Sequence, residues 1–180
     1  MQHVNIKIFA DKADINLTDA VPIFHHWIQE SVVDELLIDV ADYKHVPEGP
    51  GVMLIGHQAN YSLDELEGHL GLLYNRKTAI DGDSQAALAQ AFESAKKAAK
   101  RLEGEAAFRD KLVFDAGNVE VIVNDRIVAP NTDDSWNKFK PEIEKFFAGV
   151  YGHTDFTVER LGEPRDRFRV GVKTNTPVRV

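Results

Sequence analysis

Short runs that alternate apolar and polar residues, or stay apolar for four to six positions, recur from Val4 to Val172. That recurrence narrows the fold more than any other feature, because an extended segment cannot satisfy its own backbone groups and must find partner strands. Residues 4–8 alternate with period two and predict a first strand. Further strands are expected at 36–43, at 52–55 continuing towards His57, and at 70–74. Residues 111–114 and 119–123 flank Asp-Ala-Gly-Asn at 115–118, which reads as a hairpin turn, and 124–128 continues the sheet through a second turn. Residues 156–158 and 167–172 supply the last two strands, and 174–180 reads as a loose tail.

Helical spacing is confined to three stretches. Thr18 or Asp19 can cap the first, Pro22 suits its first turn, and Phe24, Trp27 and Ile28 recur on one face. The second begins at Ser84 and spans 84–103, with Leu88, Phe92, Ala95, Ala99 and Leu102 as its apolar stripe. Lys96, Lys97, Lys100 and Arg101 lie off that stripe and read as a solvated face. The third follows Asp133 and buries Ile143, Phe146, Phe147 and Val150, its regular part starting at Pro141. The order strand, helix, strand, strand occurs at 4–55 and again at 119–172, with Pro22 aligning on Pro141 and Trp27 on Phe146. The fold class is therefore α+β, a mixed or largely antiparallel sheet with helices on one side. Residues 1–180 form one domain, within which two similar βαββ halves, 1–80 and 111–173, are joined by the helix at 84–103.

Composition removes whole classes of function. The chain has no cysteine, so disulfide scaffolds, thiolate metal sites and cysteine nucleophiles are excluded, and a reducing, cytoplasmic setting is favoured. No apolar run approaches the length of about 20 residues that a membrane span needs, and no secretory signal is visible. A net charge of −8 opposes general nucleic-acid binding. The local concentration of Arg160, Arg165, Arg167, Arg169, Lys173 and Arg179 is diluted by Glu159, Glu163 and Asp166, and reads as a solvated strand edge. Gly49-Pro-Gly51 lacks the third glycine and the following helix of a dinucleotide fingerprint. The phosphate-binding Gly-Lys loop, the serine elbow and the zinc-binding histidine helix are absent too.

What remains is a group of polar side chains near the ends of the second and third strands: Asp39, Asp42, Tyr43, His45, His57, Asn60 and Tyr61. If a hairpin turns about 46–51, Asp39 falls opposite His57, and a carboxylate beside an imidazole is how a general base is oriented. His57, Asp39 and Asp42 are the catalytic candidates on that reading, with His45 as a second acid or ligand. A metal would need three or four converging ligands; His45, His57 and His69 with Asp42 are the candidates, although even spacing has no mechanical meaning on strands joined by loops, and at most one of His25 and His26 could join them. The sequence leaves the cofactor unknown. Residues 74–77 (Tyr-Asn-Arg-Lys) end the fourth strand with two cations, able to hold a carboxylate or phosphate if they lie beside the His57 loop. The favoured reading is a module binding a small molecule or a protein partner through the loop 42–61. Its contact set is Tyr43, His45, His57, Asn60, Tyr61, Tyr74 and Arg76, since rigid loops on ordinary scaffolds carry binding residues. The rivals are a metal-assisted or acid–base enzyme and a structural homo-oligomer. Self-association is expected because sheet edges need covering.

Residues 24–29 (Phe-His-His-Trp-Ile-Gln), 34–43 (Asp-Glu-Leu-Leu-Ile-Asp-Val-Ala-Asp-Tyr) and 49–57 (Gly-Pro-Gly-Val-Met-Leu-Ile-Gly-His) together resemble a group of bacterial proteins with no assigned activity. The similarity extends through 71–76 (Gly-Leu-Leu-Tyr-Asn-Arg) and 124–131 (Asn-Asp-Arg-Ile-Val-Ala-Pro-Asn). The resemblance implies a soluble bacterial protein and carries no site residue with it.

Overall fold

The computed structural model describes residues 3–47 and 49–180. Eight strands, β1 (Val4–Ala13), β2 (Leu37–Asp42), β3 (Val52–Gly56), β4 (Ala59–Asp64), β5 (Gly71–Arg76), β6 (Leu112–Val123), β7 (Phe156–Leu161) and β8 (Phe168–Thr174), form one antiparallel sheet. Its order is β2-β3-β4-β5-β1-β6-β8-β7. Helices α1 (Ala20–Glu30), α2 (Ser84–Gly104) and α3 (Asp133–Tyr151) cover one face. Val4, Ile6 and Ile8 of β1 and Val119, Val121 and Val123 of β6 meet them there, with Trp27, Phe92 and Phe147 buried from the helix side. Each helix is amphipathic, and burying that apolar stripe on the sheet is the main source of stability.

The sheet is centred on two strands that each precede a helix, β1 before α1 and β6 before α3. β1 and β6 lie side by side at the centre, β1 flanked by the hairpin β4–β5 and β6 by the hairpin β7–β8. The strand that returns beside β1 is β5, however, and not the third strand. β2–β3 is an additional hairpin added outside β4. Three sequence expectations change for local reasons. Residues 59–64, expected as loop, form β4, because Ala59, Tyr61 and Leu63 are buried on the helix face. The expected turn at 115–118 is the middle of the long strand β6, where Ala116 and Gly117 are buried and Asp115 accepts from Gly117 N at 2.8 Å. The expected strand at 124–128 is a turn, in which Asp125 Oδ1 accepts from the N–H groups of Ile127 and Val128. α3 begins at Asp133 after the cap Thr132 and runs through an exposed Pro141. The C-terminal residues are pinned to β6, with Ala116 N donating to Val178 O and Val178 N to Asp115 Oδ1, both at 2.7 Å.

The face away from the helices carries polar and charged side chains that are nonetheless buried, among them Asn5, Lys7, Asp64, Glu120 and Arg169. Lys7 Nζ meets Asp64 Oδ1 at 2.5 Å, both side chains under 10% exposed. Lys7 reaches β4 only by crossing Gly71 on β5, where a Cβ would lie 2.7 Å from the lysine Cε. Directly opposite Lys7 stands Glu120, which takes Arg169 through two bonds of 2.5 and 3.1 Å. Arg169 continues to Glu67 at 2.7 Å. Alongside runs a row of amides: Asn124 Nδ2 donates to Asn5 Oδ1 and Asn75 Oδ1 at 3.1 and 3.3 Å. Arg167 closes the row on Asn124 Oδ1 at 3.0 Å. Three members of the C-terminal basic cluster are engaged: Arg169 is buried in this network, Arg167 donates to Asn124, and Arg160 pairs with the exposed Asp133 at 2.8 Å. Among the described residues, no helix is long and apolar enough to cross a membrane.

Candidate functional site

A cavity of about 280 Å³ opens between the segment after α1, the start of β4, the end of β5 and one side of α2. Four backbone features build it. Ser31 adopts a left-handed conformation (φ 49°) that ends α1, so Val32, Val33 and Asp34 leave the helix and form one wall. Glu35 then acts as a staple. Its Oε2 accepts from Gln58 N and Ala59 N at 3.1 and 3.0 Å, and its Oε1 accepts from Tyr61 OH at 2.8 Å. Tyr61 and Tyr74 face each other across β4 and β5, their rings edge to face at 5.2 Å. Gln90, Ser94, Lys97 and Arg101 follow one another on α2 at intervals of three and four residues, so all four present to the same side.

The polar groups form an organised set. Gln90 Nε2 donates to Tyr74 OH at 2.8 Å and to Ser94 Oγ at 3.0 Å. Arg76 is fixed through Nε to Thr78 O at 2.9 Å, and its Nη1 lies 3.4 Å from both Tyr74 OH and Gln58 Oε1. Arg101 rests over the Trp27 ring, 5.7 Å from its centroid. Burial, then the hydrogen bond to Glu35, then that carboxylate's charge drive the Tyr61 pKa well above its ordinary value of 10. Tyr151, on the far side of the core, is raised by burial first and by Asp115 second. Both shifts are upward, so the stability they carry is complete below pH 10 and is lost as the pH climbs past it, when the unfolded chain ionises and the folded one does not. In a near-ultraviolet titration, Tyr61 and Tyr151 are expected to stay protonated past pH 10 until the protein unfolds. A smooth titration of all four tyrosines in folded protein would contradict this.

The structure divides the sequence candidates. Tyr61, Tyr74 and Arg76 come together in the cavity. Asn60 is one residue from Tyr61 and so projects from the opposite face, opposite Asn75. Tyr43 and His45 are exposed in the β2–β3 connection, at the far end of that hairpin from His57. His57 is exposed in the β3–β4 turn, its N–H donating to Leu36 O at 2.8 Å. The expected pairing of Asp39 with His57 fails on register: Asp39 lies opposite Ile55, after an irregularity between Leu37 and Asp39. Asp39 Oδ1 instead accepts from Val40 N at 2.8 Å, and Asp42 accepts from Lys44 N at 3.0 Å, a bond that lowers its pKa. His69 packs against the Phe9 ring at 6.4 Å, beside a wider, shallower groove of about 580 Å³ in which no comparable hydrogen-bonded set converges. Among the described residues, no three histidine, aspartate or glutamate side chains are grouped so as to hold a metal ion.

The end of β5 does lie beside the 57–58 turn, Ala59 pairing with Arg76 and Lys77 Nζ donating to Gly56 O. Sequence reading missed Glu35, Gln58, Gln90, Ser94 and the inward part of Lys97 and Arg101. The signal for the helical members was present as a polar stripe at 90, 94, 97 and 101, running beside the apolar one. Glu35 carried no signal, since its partners are set by a turn 23 residues away. No protein-family model matches the chain, and no curated protein matches it.

Proposed function

We propose that the protein binds a small molecule in the cavity between α2 and the β4–β5 hairpin. The observation that carries this reading is the convergence of Tyr74, Gln90, Ser94 and Arg76 on one space, held by Glu35 and walled by Val32, Val33 and Ala98. A concave pocket with fixed, converging polar groups is the ordinary form of a ligand site, and about 280 Å³ lies just under the usual range of about 300–1,000 Å³. A metabolite-sized ligand fits it and a dinucleotide does not. The hydrogen-bonded set is of the kind that receives and orients a ligand, and binding is the function proposed.

Native mass spectrometry of protein taken from cells without dialysis tests this, with Ser94→Phe as the comparison. Ser94 is only partly buried and lines the cavity, so the larger ring fills the space with little cost to the core. A bound mass in the wild-type protein that disappears in a folded Ser94→Phe is the expected result. The same mass on both proteins would place the ligand elsewhere. A second reading, contact with a protein partner, is favoured by the edge strand β2, where Ile38 is 54% exposed, and by Leu36 just before it, 68% exposed. A clean mass in a discrete oligomer would favour that reading.

A further inference from the structure

We infer that the ligand of this cavity is an organic anion, a compact apolar body carrying a carboxylate or phosphate that is received by Arg76, Tyr74, Lys97 and Arg101. The inference rests on the cavity being a ligand site and adds the chemical class. Three cations line the space, Arg76, Lys97 and Arg101, and among the described residues none of them forms an ion pair. The two acidic side chains in the lining leave a positive balance of three charges against two: Glu35 has both oxygens occupied by Gln58 N, Ala59 N and Tyr61 OH, and Asp34 is exposed.

The neutral groups point the same way. Tyr74 is 1% exposed, and its hydroxyl receives Gln90 Nε2 at 2.8 Å and stands 3.4 Å from Arg76 Nη1. With donors already directed at the oxygen, its own proton has no acceptor among the described residues. A buried hydroxyl in that state is completed by an acceptor from outside. Arg76 is held by Nε on Thr78 O and by long Nη1 contacts to Tyr74 OH and Gln58 Oε1, which leaves Nη2 to meet a carboxylate or phosphate oxygen. Lys97 and Arg101 stand one helical turn apart and extend the same sign of field along the cavity. The protein as a whole carries −8, so this concentration of unpaired positive charge runs against its general balance.

Isothermal titration calorimetry with benzoate and its neutral isostere benzamide distinguishes the class, with inorganic phosphate as competitor. Benzoate is expected to bind, to weaken as salt is added, and to be displaced by phosphate. Benzamide is expected to bind at least about tenfold more weakly, and Arg76→Gln to lose about tenfold or more towards benzoate. If Arg76→Gln does not fold, the exposed pair Lys97→Gln and Arg101→Gln supplies the same comparison. Equal affinity for the two probes, unchanged benzoate binding in the cation variants, or no binding of either probe would overturn the anionic class. The Ser94→Phe protein separates the two levels. Benzamide binding lost in that variant leaves the cavity as a ligand site of another class, whereas benzoate binding retained in it removes the cavity reading itself.

Discussion

Glu120→Ala is expected to destabilise the protein by about 3–5 kcal/mol, the cost of leaving one member of a buried ion pair without its partner. Glu120 is 3% exposed and meets Arg169 through two bonds, on a sheet face where Lys7 and Asp64 form a second buried pair directly alongside. Removing the carboxylate strands Arg169 with a single exposed partner, Glu67, and deprives Lys7 of the negative charge across from it. Two hydrogen bonds donated by Arg169 to Glu120 and one to Glu67 hold the Arg169 pKa above its ordinary value, the direction expected of a guanidinium dependent on those carboxylates. Glu67→Ala is the control. Its side chain is 61% exposed, so solvent screening limits its cost to about 1 kcal/mol or less. Arg169 holds the Glu67 carboxyl below its ordinary 4.5. The contribution of that pair is therefore present above this value and fades as pH falls through the lower, folded one. Urea unfolding at neutral pH checks both variants. A loss below about 1 kcal/mol for Glu120→Ala would mean that water reaches the charges on this sheet face.

Glu35→Ala is the second large effect, expected at about 3 kcal/mol, because one carboxylate carries three hydrogen bonds and charged bonds are worth about 1.5–3 kcal/mol each before solvent replaces some of them. The three donors are two adjacent N–H groups of the β3–β4 turn and the hydroxyl of Tyr61, which is 4% exposed. Losing them frees the turn and leaves a buried phenol unpaired. The variant should thus weaken ligand binding along with stability. Glu35→Gln keeps one acceptor and should retain more of both. Equal behaviour of the two variants would show that bulk, and not hydrogen bonding, holds the turn.

Periodicity made the helices legible because each carries a continuous apolar stripe, and it revealed most strands because their inward residues are branched or aromatic. β4 escaped since Asn60, Ser62 and Asp64 alternate with its apolar residues, and polar side chains on a sheet's second face read as loop. The same cause hid the ion network. Lys7, Glu120 and Arg169 look solvent-facing in sequence, and only the register of four strands shows that they neutralise one another. At the site, Tyr61, Tyr74 and Arg76 could be grouped from sequence because they occupy neighbouring strand ends. Asp39 and His57 could not be tested without register: Asp39 lies opposite Ile55, two residues short of His57. The helix contribution was read as a solvated face, which is true of Lys97 and Arg101 by exposure and incomplete by position.

The central claim is that the space bounded by Tyr61, Tyr74, Arg76 and α2 takes a ligand. The most direct test is NMR shift mapping of the labelled full chain against a fragment library, run on the wild-type protein and on Ser94→Phe. The account predicts that binding fragments perturb the side-chain signals of Tyr61, Tyr74 and Arg76 together, and that Ser94→Phe abolishes those perturbations while remaining folded. Perturbations centred on the exposed β2 edge or the wider groove near His69, or unchanged in Ser94→Phe, would contradict it.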